Sequence, residues 1–78
     1  MIPGIPINHT IAQAVGAAYD EDILVGGLLS NHILLAVISY VAGADPVGLD
    51  VSAFVVADGK ITSATEDTTG DTLTIIYS

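Results

Sequence analysis

Leu49 to Tyr77, LDVSAFVVADGKITSATEDTTGDTLTIIY, is the stretch that decides the fold of this chain. At its centre lies Asp58-Gly59, a pair that closes tight hairpins because glycine accepts positive φ without a steric penalty. On the N-terminal side, Leu49–Val56 reads as a strand whose head carries Asp50 and Ser52, residues that bond their own backbone in local turns. On the other side Lys60–Ala64 is a short polar strand. Thr65–Asp71 follows as a second turn. Thr72–Tyr77 then alternates threonine with apolar residues, as a half-buried strand does.

Working outward, Ile33–Val41 is continuously apolar and rich in β-branched residues, which predicts a strand buried on both faces. Leu29–His32 before it reads as the turn of a hairpin, and Gly43–Gly48 after it as a loop built on Asp45-Pro46. Ile23–Leu29 is a strand interrupted by Gly26-Gly27, where a bulge or a close backbone approach is expected. Asp20-Glu21-Asp22 forms a solvated acidic turn. In His9–Ala18 a strand would put Ile11, Gln13 and Val15 on one face and Thr10, Ala12 and Ala14 on the other, whereas the alanine content leaves a short helix open. Residues 1–8 form an extended arm: Pro3 and Pro6 fix φ and remove two amide donors, so the arm cannot serve as a central strand. The stretches Asn31–Tyr40 and Gly70–Tyr77 echo one another, each a polar turn feeding an apolar strand that ends on tyrosine; two core strands with similar needs explain this without a duplication. The expected architecture is all-β: a small antiparallel β-sandwich or partly open barrel of about six short strands with an extended N-terminal arm. Residues 9–78 make the single domain.

Composition narrows the function. The 78 residues carry nine carboxylates against one cation, Lys60, for a formal net charge of −8, while 51% of the chain is hydrophobic. That hydrophobic share excludes a disordered acidic tail. The charge argues against nucleic acid and anionic lipid, since both are held by clustered Lys and Arg. Ile23–Ala44 has the length of a membrane span, but Ser30-Asn31-His32 sit at its centre and only carboxylates flank it, so no membrane helix is expected. Met1–Thr10 lacks the cationic start and apolar run of a secretory signal. Cysteine is absent, so no disulfide supports a domain of this size. Small domains commonly gain stability from partner subunits, and a homo-oligomer is expected.

Candidate chemistry is sparse. His9 and His32 are the only histidines, far apart in sequence and without a spacing that suggests a triad with serine. Asp67, Thr69 and Asp71 alternate like oxygen ligands of a calcium loop, but no bidentate glutamate follows, and turn chemistry accounts for them. Glycines are not spaced for a phosphate loop. No catalytic residue, metal ligand or cofactor is therefore assigned.

Three pieces of the decisive stretch carry a resemblance: Val51-Ser52-Ala53-Phe54, then Gly59-Lys60-Ile61-Thr62-Ser63-Ala64, then Asp67-Thr68-Thr69-Gly70-Asp71-Thr72-Leu73-Thr74-Ile75-Ile76-Tyr77. From Ile23 onward the chain resembles short virion structural proteins of tailed bacteriophages; the proline-containing arm is unmatched. The resemblance implies a capsid decoration (cement) protein that binds and stabilises the assembled head, located on the capsid surface. Its partners would be the major capsid protein or another virion protein. It brings no functional residues with it. Contacts are expected instead from the arm, through Ile2, Pro3, Ile5, Pro6 and Ile7, and from the terminal strand taken as a sheet edge, through Thr72, Thr74 and Ile76. Competing readings are a tail or fibre component of the virion and an immunoglobulin-like protein-binding module.

Overall fold

The computed structural model describes residues 9–78; the contacts expected of Ile2, Pro3, Ile5, Pro6 and Ile7 lie outside them. Seven strands and one short 3₁₀ turn follow in order: β1 (Thr10–Val15), β2 (Ile23–Leu24), β3 (Leu34–Tyr40), β4 (Val47–Leu49), η1 (Val51–Ala53), β5 (Val55–Ala57), β6 (Lys60–Thr62) and β7 (Thr72–Tyr77). They form two antiparallel sheets, one of four strands ordered β1-β7-β3-β4 and one of three ordered β2-β6-β5. The all-β expectation holds, and the sheets remain open rather than closing into a barrel. No helix among the described residues is long and apolar enough to cross a membrane.

The apolar seam between the sheets explains this arrangement. Leu73, Ile75 and Tyr77 of β7 point inward beside Val37 of β3 and Ala14 of β1, against Ile23, Val25, Leu28, Phe54 and Ile61 from the other layer. Fully burying each large aliphatic side chain stabilises by about 1.5–3 kcal/mol. The Asp-Gly turn is realised as expected: β5 and β6 are joined at Asp58-Gly59, with Gly59 at φ 74°. This turn also holds the neighbouring segment. Gly59 donates to the Leu28 carbonyl at 2.7 Å and accepts from the Val25 amide at 2.8 Å, while the Asp58 carboxylate accepts from the Ser30 amide at 2.7 Å.

Several expectations are corrected by pairing across long sequence separations. Within His9–Ala18, where the sequence leaves strand and short helix both open, Thr10–Val15 is strand, because its backbone pairs with β7 from Thr10↔Tyr77 to Val15↔Thr72. Ile23–Leu29 contains only two paired residues; a turn closed by Leu28 N to Val25 O, with Gly27 at φ 83°, ends the strand. Leu29–His32 is no hairpin turn, since β2 and β3 lie in different sheets and the segment carries the chain between layers. Ile33–Val41 is buried on one face only: Val37 and Ser39 are covered, whereas Leu35 and Tyr40 are 46% exposed. Val47 and Gly48, expected in a loop, belong to edge strand β4. The terminal strand β7 is not an edge, because β1 and β3 occupy both its sides. The echo between Asn31–Tyr40 and Gly70–Tyr77 involves two strands, β3 and β7, that are neighbours in the sheet.

The β6–β7 connection is held by Thr68, which is 1% exposed. Its hydroxyl accepts from the Ala17 amide at 3.0 Å and donates to the Ala17 carbonyl at 3.1 Å, and its own amide donates to that carbonyl at 2.9 Å. The backbones meet so closely that a Cβ on Gly16 would fall 1.8 Å from the Thr68 carbonyl oxygen. Thr68→Val keeps the volume but orphans the Ala17 amide, and should cost about 1–3 kcal/mol in urea unfolding. Gly16→Ala should cost at least as much, because backbone rather than a mobile side chain must give way. A change below about 0.5 kcal/mol in both variants would contradict this account of the joint.

Candidate functional site

The groups most often associated with chemistry are engaged in local structure. His32 Nδ1 accepts from the Leu29 amide at 2.9 Å, and its ring lies 4.9 Å from that of Tyr77, so this histidine closes its turn. His9 is exposed ahead of β1. Asp71 accepts from the Ser39 hydroxyl at 2.7 Å; Asp67 accepts from the Thr69 hydroxyl and from the Thr69 amide at 3.0 Å. Asp22 pairs with Lys60 at 3.3 Å, with both side chains exposed. Among the described residues, no three His, Asp or Glu side chains gather as a metal would require. An open groove of about 400 Å³ runs between β1 and β2, lined by Gln13, Ala14, Val15, Gly16, Asp22 and Leu24. Asp22 is the one titratable group on its walls.

The distinctive surface is the outer face of the four-stranded sheet. Cross-strand partners share a face, so the register defines it in three rows. Ile11, Ile76 and Ala36 form the first; Gln13, Thr74, Ile38 and Gly48 the second; Val15, Thr72 and Tyr40 the third. None of these positions is charged. Ile11, Val15 and Tyr40 are 62%, 79% and 46% exposed. Ile38, Thr74 and Ile76 are half-buried on the two central strands. With strands about 4.8 Å apart and residues about 3.4 Å along each, the three long strands and the short β4 give a face of roughly 350 Å².

The carboxylates lie around one end of this face. β1 runs into Asp20, Glu21 and Asp22; β3 runs into Asp45; Glu66, Asp67 and Asp71 precede β7. The register places Val15, Thr72, Tyr40 and Val47 together at that end, so these three connections are neighbours. Asp50 follows Leu49, the partner of Val37, and so lies toward the opposite end, while Asp58 sits in the β5–β6 turn beside Ser30; seven of the nine carboxylates gather at the one end.

The sequence-derived contact residues divide accordingly. Thr72, Thr74 and Ile76 are side by side with the β1 and β3 residues of the outer face, although the strand that carries them offers no free backbone edge. Ile11, Gln13, Val15, Ala36, Ile38, Tyr40 and Gly48 complete the surface. The alternation of Ile11, Gln13 and Val15 was a usable signal; the unbroken apolar run of β3 concealed the outward set. No protein-family model matches this chain, and neither a curated protein nor a solved structure is significantly similar to it.

Two acids have their affinity for protons lowered by their turns. At Asp67 the Thr69 hydroxyl has the larger effect, followed by the Thr69 amide. At Asp50 the Ser52 hydroxyl leads, followed by the Ser52 amide. Hydrogen bonds of this kind favour the ionised form. A depressed folded pKa contributes stability that is present above the ordinary carboxylate value of 3.8 and is lost as pH falls through the lower folded value. Carbon-13 titration of the side-chain carboxyls should find both groups below 3.8. Thr69→Val removes the hydroxyl but keeps the amide bond, and should raise Asp67 toward the ordinary value while leaving Asp50 unchanged.

Proposed function

We propose that this chain is a structural protein of a bacteriophage virion, a capsid decoration (cement) protein whose contacts within the particle run through the outer face of the four-stranded sheet. The observation that carries the reading is the absence of charge from that face in a chain of net charge −8. A solvated sheet face ordinarily alternates with polar and charged residues. Here isoleucine, valine and tyrosine stand on it beside threonine and glutamine. Such a surface suits contact with protein, where apolar burial supplies affinity and a charge would have to be desolvated. The resemblance of the turns and strands of Leu49–Tyr77 to phage virion proteins supports the same reading. Thr72, Thr74 and Ile76 act in this reading as side chains on a flat face, with Ile38 at its centre. The partners are the major capsid protein or other virion proteins, and the protein resides on the capsid surface.

Co-sedimentation with assembled heads tests the proposal. Native protein should pellet with assembled shells and remain in solution with unassembled capsid protein. Ile38→Lys puts an unpaired ammonium at the centre of the face and should weaken attachment by about tenfold or more, equivalent to at least about 1.4 kcal/mol. Undiminished co-sedimentation of that variant, or no attachment of the native protein to shells, would overturn it.

A further inference from the structure

We propose that Asp58-Gly59 is a site of spontaneous covalent modification, the isomerisation of Asp58 to isoaspartate, and that the fold closes it by clamping both reacting groups to the Leu28–Ser30 segment. The inference does not depend on which partner the protein binds. Asp58 is the aspartate that glycine follows; after every other aspartate the next residue carries a Cβ. A following glycine leaves its amide nitrogen sterically free to approach the side-chain carboxyl carbon.

The reaction begins when the Gly59 nitrogen bonds to Asp58 Cγ. The amide proton and the hydroxyl of the protonated carboxyl leave together as water, and a succinimide ring forms. Water then opens the ring at one of its two carbonyls. Opening at the former side-chain carbonyl restores aspartate. Opening at the backbone carbonyl gives isoaspartate, in which the chain runs through Cβ and Cγ and the free carboxylate sits on Cα. No oxidant, metal or second protein is required. Asp58 is exposed, so water reaches the ring once it has formed.

Three hydrogen bonds stand in the way of the first step. The Gly59 N–H donates to the Leu28 carbonyl at 2.7 Å, which aims the nucleophilic nitrogen at a neighbouring segment. The Asp58 carboxylate accepts from the Ser30 amide at 2.7 Å, which holds the electrophile in place. Between them, the Gly59 carbonyl accepts from the Val25 amide at 2.8 Å. The clamping segment is itself anchored, because Val25 and Leu28 are 0% and 1% exposed. Freeing the Gly59 nitrogen therefore means loosening a connection that two core side chains hold down. Such local openings are rare in a folded protein, and a reaction confined to the open state slows in proportion.

Conversion would also act back on the fold. The turn between the paired residues Ala57 and Lys60 gains a backbone methylene, and the carboxylate leaves its place beside Ser30. An isomerised chain should hold Val25–Ser30 less firmly, so each conversion favours the open state that produced it.

Incubating the full chain at neutral pH, folded or unfolded in guanidinium chloride, tests the inference. Isoaspartate is counted by enzymatic methylation of its carboxylate and placed by electron-transfer fragmentation. The folded chain should isomerise at Asp58 about tenfold more slowly than the unfolded one, or slower still. Ser30→Pro deletes the amide that holds the Asp58 carboxylate, and should raise the folded-state rate about threefold or more. Leu28→Ala loosens the anchor and should act in the same direction. Circular dichroism checks that each variant is folded; the comparison of folded with unfolded native chain stands without either. Asp58→Glu keeps the carboxylate but cannot form the succinimide, and should abolish the signal. In the isomerised chain, hydrogen exchange at the Leu28–Ser30 amides should be faster. Equal rates in the folded and unfolded chain, a folded-state rate that neither variant changes, or isoaspartate that persists in Asp58→Glu would each overturn the inference.

Discussion

The contact between Thr68 and Ala17 is the joint on which the larger sheet depends. β1 and β7 come from opposite ends of the chain, and nothing local brings them together. Thr68 satisfies both backbone groups of Ala17, with a hydroxyl and an amide, at a point buried from water. One step further, the Gly16 amide donates to the Asp71 carbonyl at 2.9 Å and carries the ladder into β7. The absence of a Cβ at Gly16 is what permits the approach. A buried polar group left unpaired here would cost about as much as several surface contacts supply. The threonine thereby fixes the approach of the β6–β7 connection to the end of β1.

Once β7 is central, the distribution of charge follows from connectivity. Each connection at one end of the sheet is a turn, and turns in this chain are made with aspartate and glutamate. Asp67 bonds its own following residues, and Asp71 reaches Ser39. The acids that shape loops thus become an acidic rim, while strand side chains on the outer face carry no charge. The charged rim and the uncharged face occupy different parts of the fold. The half-buried residues of the outer face lie on the two central strands, flanked on both sides by neighbours.

Local chemistry was legible in the sequence, and long-range pairing was not. Asp58-Gly59 specifies its hairpin because both strands lie within a few residues of the turn. The alternation in Thr72–Tyr77 and in the strand from Thr10 divided each into its two faces, but which face of the strand from Thr10 turns inward is set by the packing: Ala14 is buried while Ile11 and Val15 are exposed. Ile33–Val41 misled for a physical reason. The outward face of β3 carries Ala36, Ile38 and Tyr40, as apolar as the inward face, so no alternation marks exposure. Leu29–His32 has the composition of a hairpin turn, yet its flanking strands find better partners in separate layers.

The sequence by itself determined the all-β class, the Asp-Gly hairpin, the placement of acids in turns, and Thr72, Thr74 and Ile76 as a set sharing one side of a strand. These are properties of periodicity and single residues, which local backbone geometry enforces. Only the tertiary structure decided that β7 is a central strand and that its outward residues join those of β1, β3 and β4 in one uncharged face. Strand order depends on which distant backbone groups find partners while the core closes, and that energy belongs to no local stretch of sequence.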